Sequence, residues 1–138
     1  MQNYSNYLFD RRAGRGVVTS EEQENAPGLM LTRAANGDCM AQFELGEWLC
    51  KTVGLASAAF PWYLKSAEGG VAAAANQVAY MYLAGKGIEE DAGRAMRWAL
   101  VAVAKGERDA VNIVKAARTV LTQDQINAIL RRFRERFL

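Results

Sequence analysis

The feature that most constrains this chain is that it nearly repeats itself. The run Ala67-Glu68-Gly69-Gly70-Val71-Ala72-Ala73-Ala74 echoes Ala34-Ala35-Asn36-Gly37-Asp38-Cys39-Met40-Ala41 at a spacing of 33 residues, and Gly106 and Ala110 echo it again 36 further on. A period in that range, carried by helix-forming residues, specifies stacked helical hairpins. One hairpin cannot bury its apolar face alone, so the units pile into a solenoid. The usual employment of such a stack is to present a surface to another macromolecule, not to perform chemistry.

The rest of the chain divides around this repeat. Residues 1–19 show no helical or strand periodicity and include the basic stretch Arg11-Arg12-Ala13-Gly14-Arg15-Gly16, so they are expected to be a flexible amino-terminal arm. Residues 20–138 are expected to form a single domain, since 138 residues need only one core. Ser20 and Gln23 match a capping box, Pro27-Gly28 interrupts the short helix it opens, and Leu29, Met30, Arg33 and Ala34 form a further turn set ending at Asn36-Gly37. A front helix is predicted from about Asp38 to Lys51, with Ala41, Leu45, Trp48, Leu49 and Thr52 on its apolar face and Gly46 marking a close approach. Ser57 is the expected cap of the back helix, with Pro61 in its first turn. The second unit repeats the plan through Ala74, Val78, Ala79 and Tyr82, an eight-residue connection from Ala84 to Asp91, and a back helix capped by Asp91 that carries Ala95, Trp98 and Ala102. Trp62 and Trp98 fall at equivalent positions and are expected in the core between units. A third front helix carries Ala110, Val114 and Ala117. The last helix, about 122–138, opens on the Thr122/Gln125 capping box and bears one apolar stripe, Ile126, Ile129, Leu130, Phe133 and Phe137, opposite a face rich in arginine. That pattern suits the terminal cap a solenoid requires.

Composition narrows the function classes. The longest apolar run, Trp98 to Ala104, is far short of the roughly 18 residues a membrane helix needs, and Met1 to Asp10 does not resemble a secretory leader, so a cytoplasmic protein with no membrane span is expected. There is no histidine, which removes Cys/His metal sets and Ser-His or Cys-His catalytic pairs. Cys39 and Cys50, on one predicted helix and about 16 Å apart by helical rise, cannot pair with each other and fit two small buried hydrophobes. Gly85-Lys86-Gly87 lacks the remaining glycine and hydroxyl residue of a phosphate loop, and Glu89-Glu90-Asp91 lacks the spaced oxygen ligands of a calcium loop. No catalytic residue, cofactor or metal is expected. The net charge of +2 hides an uneven distribution: Glu21, Glu22, Glu24, Asp38, Glu44 and Glu47 crowd one end, while Lys115, Arg118, Arg131, Arg132, Arg134 and Arg136 crowd the other. Opposite poles of this kind favour weak head-to-tail self-association, or are simply solvated helix faces.

The residues Ala74, Val78, Ala79, Tyr82, Gly85, Gly87, Ile88, Asp91, Ala95, Trp98 and Gly106 match a known pattern, and Ala41, Leu45, Gly46, Ala59, Trp62 and Gly70 repeat part of it without the Gly-x-Gly turn and its aspartate. The pattern resembles the Sel-1-like repeat, a relative of the tetratricopeptide repeat, over about residues 28–120. The resemblance implies an all-α fold: an α/α repeat superhelix of about two and a half helical hairpins plus a carboxyl-terminal capping helix. It also implies a concave groove lined by front helices and a role as adaptor or scaffold for protein partners.

By analogy with tetratricopeptide geometry, a second stripe on the front helices faces that groove. It comprises Met40, Phe43, Glu47 and Cys50 in the first unit and Ala73, Asn76, Tyr80 and Leu83 in the second. Exposed Phe43 and Tyr80 flanking Glu47 and Asn76 suit an amphipathic peptide or helix; the competing expectation is a closed groove with both rings buried. Other readings are a small cytoplasmic chaperone or cognate inhibitor of a secreted protein, and nucleic-acid binding through Arg131, Arg132, Arg134 and Arg136 with Arg11, Arg12 and Arg15. Near-balanced overall charge weighs against the nucleic acid. Tyr4, Tyr7, Leu8 and Phe9 could anchor the arm in the groove as a self-inhibitory peptide.

Overall fold

The computed structural model describes residues 27–137, so the expected arm, its anchors, the Ser20/Gln23 capping box and the acids at 21, 22 and 24 lie outside the described residues. Among the described residues there are seven α-helices: α1 (Pro27–Ala35), α2 (Cys39–Glu47), α3 (Ala56–Glu68), α4 (Ala72–Ala84), α5 (Ala92–Ala104), α6 (Ala110–Arg118) and α7 (Gln123–Phe137). A π-helical turn, Trp48–Val53, continues α2 without a break. No strand occurs among the described residues, and the fold is the expected all-α helical repeat. Successive helices pack pairwise from α1 to α6, and α7 closes the stack against α5.

Local chemistry explains most boundaries. Asp38 caps α2 by accepting from the amides of Met40 and Ala41, each at 3.1 Å, and Asp91 caps α5 by accepting from the Arg94 amide at 3.0 Å. Thr122 and Gln125 complete a reciprocal capping box: the Thr122 amide donates to Gln125 Oε1 at 2.9 Å and the Gln125 amide to Thr122 Oγ1 at 3.2 Å. Pro27-Gly28 does not interrupt a described helix. Pro27 is the first residue of α1, the position where its missing N–H costs no helical bond.

The connection between α2 and α3 departs most from expectation. The π turn ends at Gly54 (φ 77°), and the Leu55 amide then donates to the Leu49 carbonyl at 2.8 Å. Only Gly54 and Leu55 separate the turn from α3, which begins at Ala56 with no side-chain cap. Ser57 is therefore inside the helix and is not its cap, and Pro61 stands past the first turn. The proline ring points from an exposed position, so the missing hydrogen bond falls on the solvent side. The first unit's connection is thus two residues against seven in the second: three are absent, and the front helix takes two more by continuing to Val53 where α4 stops at Ala84.

The core owes its tightness to small side chains. Ala59, Ala74, Ala75, Ala79, Ala95 and Ala99 are all fully buried. Helices can approach closely there, and Leu45, Tyr63, Val78 and Met81 fill the remaining space. A Cβ on Gly46 would stand 2.9 Å from the Tyr63 ring, so that ring lies directly on the α2 backbone. This close packing displaces the tryptophans. Trp62 and Trp98 are only half-buried against the edge of the core, not within it, and Lys65 Nζ sits 4.8 Å from the Trp62 ring centroid. Thr52 is exposed, and both cysteines are free and half-buried, not fully enclosed.

A second cluster, Met96, Ala117, Ile126 and Ile129, lies beneath α7 and joins the main core through Leu83 and Val114. Burying Ile126 and Ile129 contributes about 3–6 kcal/mol by transfer free energy, an upper bound because the unfolded chain is not fully extended. The arginine-rich face of α7 remains exposed, with Arg131, Arg132, Arg134 and Arg136 all in solvent.

Candidate functional site

The front-helix stripe is built from α2, its π turn and α4. These helices pack far more extensively on α3, which lies between them in the chain, than on each other. In the first unit Met40 is 52% exposed, one residue from the buried Ala41. Phe43 is half-buried, its ring centroid 5.9 Å from that of Tyr63 and tilted by 57°. Phe43 therefore falls between the two expectations for it: Tyr63 of the back helix packs against the ring, which is neither free nor fully buried. Glu47 is half-buried and doubly engaged, accepting hydrogen bonds from the Tyr63 hydroxyl and from Lys51 Nζ. Burial, then the bond to Glu47, pushes the Tyr63 phenol above its ordinary range; the same carboxylate raises Lys51. Cys50 lies within the π turn, half-buried against the core.

In the second unit Tyr80 is 47% exposed and Leu83 is half-buried, touching both core clusters. Asn76, one helical turn before Tyr80, is half-buried, and its Oδ1 has neither solvent nor a donor among the described residues. An acceptor in that state is costly, about 1–3 kcal/mol. The stripe thus has two exposed apolar side chains, Met40 and Tyr80, with Phe43, Cys50 and Leu83 half-buried, and an unmet acceptor on Asn76 that is closed to solvent. It offers no nucleophile paired with a base. No group of acids and cysteines that could hold a metal occurs among the described residues.

A concavity that the sequence reading did not single out lies elsewhere. Arg94, Arg97, Trp98, Val101 and Lys105 of α5 form one wall of a cavity of about 740 Å³, which Arg136 and Phe137 of α7 enclose from the other side. The helical spacing of the α5 residues was a legible signal. The arrival of Arg136 near the end of α7, 31 residues after Lys105, was not.

No family model matches the sequence, and no curated protein matches it. Among solved structures, the chain is similar to a protective antigen present in uropathogenic Escherichia coli strains and displaying an SLR fold, that is, the Sel-1-like repeat. The likeness has a TM-score of 0.69 and 27% sequence identity over 91% of this chain. The chain spans only 27% of that protein's length. Together with the observed helix order, this supports a Sel-1-like repeat fold. No helix among the described residues is long and apolar enough to cross a membrane.

Proposed function

We propose that this chain is a non-catalytic protein-interaction module, an adaptor or scaffold, that takes a peptide or helix of a protein partner on the front-helix stripe. The observation that carries this reading is the exposure of Tyr80, an aromatic side chain left 47% open on α4 where a ligand lying across the stripe would cover it. Met40 offers a second apolar contact in the first unit, and Glu47, held by Tyr63 and Lys51, supplies a fixed carboxylate two turns along the same helix. Exposed aromatic and methionine side chains are the residue types enriched where binding energy concentrates.

The cytoplasmic placement belongs to the same proposal. Two unpaired, half-buried thiols suit a reducing compartment.

A photo-reactive phenylalanine analogue at position 80, expressed in cells, tests the reading. Discrete protein adducts are expected, and they should be lost when Met40→Glu is added. The same probe at Asp124, an exposed position on α7, should not give these adducts. Absence of adducts at position 80, or an identical adduct pattern at both positions, would refute the assignment.

A further inference from the structure

The cavity against α5 shares no residue with the front-helix stripe. Its α5 wall follows helical spacing: Arg94, Arg97, Trp98, Val101 and Lys105 lie at i, i+3, i+4, i+7 and i+11, a strip about 16 Å long by helical rise. Glu68 and Gly70 at the end of α3 and Tyr82 of α4 form a second wall, and α7 contributes Arg136 and Phe137. Cations therefore stand at both ends of an apolar middle made by Trp98 and Val101.

The charge in this cavity is one-sided. Four cations line it against a single carboxylate, Glu68. Arg97, Lys105 and Arg136 have no ion-pair partner among the described residues, and Arg94 has only a loose contact, Nε to Asp91 Oδ2 at 3.5 Å with both side chains well exposed. Two guanidinium groups are nonetheless held in place by rings: Arg94 lies 5.9 Å from the Tyr82 centroid and Arg136 5.8 Å from that of Phe137. Like charges gathered in a concavity repel one another and add nothing to the fold. They do focus a positive potential on whatever enters.

We propose that this cavity docks an acidic peptide segment of a partner protein, one in which carboxylates flank an aromatic or aliphatic residue. About five extended residues, at about 3.3 Å each, span the strip and place acids at its two cationic ends and an apolar side chain over Trp98 and Val101. A compact phosphate group concentrates its charge at one point and leaves one end of the strip unmatched. A nucleic-acid backbone needs an unbroken track of cations, and Trp98 and Val101 interrupt it.

Fluorescence anisotropy with the full chain and a fluorescein-labelled, amidated pentapeptide Asp-Glu-Phe-Glu-Asp tests the proposal. Saturable binding that weakens with added salt is expected. Arg97→Glu combined with Lys105→Glu should weaken it about tenfold or more, with helical circular dichroism unchanged because both side chains are exposed. Replacing the peptide's phenylalanine with glycine should also weaken it, whereas Lys115→Glu, a charge reversal on α6 outside the cavity, should not. The proposal is overturned by absence of saturation at about 1 mM peptide or by equal affinity of the double variant. It is also overturned if tripolyphosphate or a labelled oligothymidylate binds more tightly than the pentapeptide, which would assign the cavity to phosphate chemistry.

Discussion

Gly87 links the long connection of the second unit to the start of α3 and permits a quantitative test of how the units are spaced. Its φ is +77°, and a Cβ placed on it would lie 2.6 Å from the carbonyl carbon and oxygen of Ala56 and 2.9 Å from the Ser57 nitrogen. Two costs add in Gly87→Ala. Left-handed backbone costs an L-residue about 1–2 kcal/mol. In addition, the Ala56 carbonyl must retreat from 2.6 Å to the 3.4 Å of ordinary contact, and because the atoms are backbone, α3 and the connection must shift together. Overpacking that moves backbone costs about 1–3 kcal/mol, so the total is about 3 kcal/mol. Gly37→Ala isolates the first cost: φ there is +93°, with no atom within 4 Å of the added methyl. Urea unfolding followed by circular dichroism should therefore separate the two variants by about 2 kcal/mol. With an m-value near 1.5 kcal/mol/M, the midpoint should fall by about 2 M for Gly87→Ala and by about 1 M or less for Gly37→Ala. Equal destabilisation of the two, within about 0.5 kcal/mol, would show that the close approach between the units is absent and the spacing argument wrong.

Three further outcomes follow from the same packing. Because Tyr63 is held protonated above its ordinary range while an unfolded tyrosine ionises near pH 10, stability is complete below about pH 10 and falls by about 1.4 kcal/mol per pH unit above it. Tyr63→Phe removes that one proton's dependence, and urea midpoints measured between about pH 9 and 11.5 should show the shallower fall; identical slopes would contradict a buried, protonated phenol. Asn76→Ala removes the unmet acceptor without adding volume and should leave stability unchanged or raise it by about 1 kcal/mol in urea titration, and a loss of about 1 kcal/mol or more would show that Oδ1 has a partner. Thr122→Ala removes half of the capping box and should cost about 1 kcal/mol, measured as amide-exchange protection lost first in α7.

Much of the architecture was legible because it is written in local chemistry. Asp38, Asp91 and the Thr122/Gln125 pair act on amides two or three residues away, and a short sequence window contains the whole interaction. The misjudged features depend on distant residues. Ser57 resembles a cap when only Pro61 is considered, but Gly54 and the Leu55–Leu49 bond deliver the chain so abruptly that α3 is already formed at Ala56. Trp62 and Trp98 were expected inside because they are large and equivalent, yet rows of alanine leave no room for an indole between the helices. Within the front-helix stripe, helical spacing and the tetratricopeptide analogy placed Phe43 on the groove side. Only the tertiary contact with Tyr63, twenty residues later, reveals that its ring is partly covered.

The π turn after α2 bears on how a repeat can be recognised. Tandem copies of one motif ordinarily invite a ligand to bind at either copy, or to slip from one to the next. A turn closed by i→i+5 bonds takes in one residue more than an α-turn, so the phase drifts from Trp48 onward and is about 100° behind an unbroken α-helix, such as α4 keeps, by the end of the turn. The two front helices are therefore not superimposable beyond Glu47. A ligand lying on this stripe would meet two unlike surfaces in a fixed order, so the proposed site implies one ligand per chain in a single alignment.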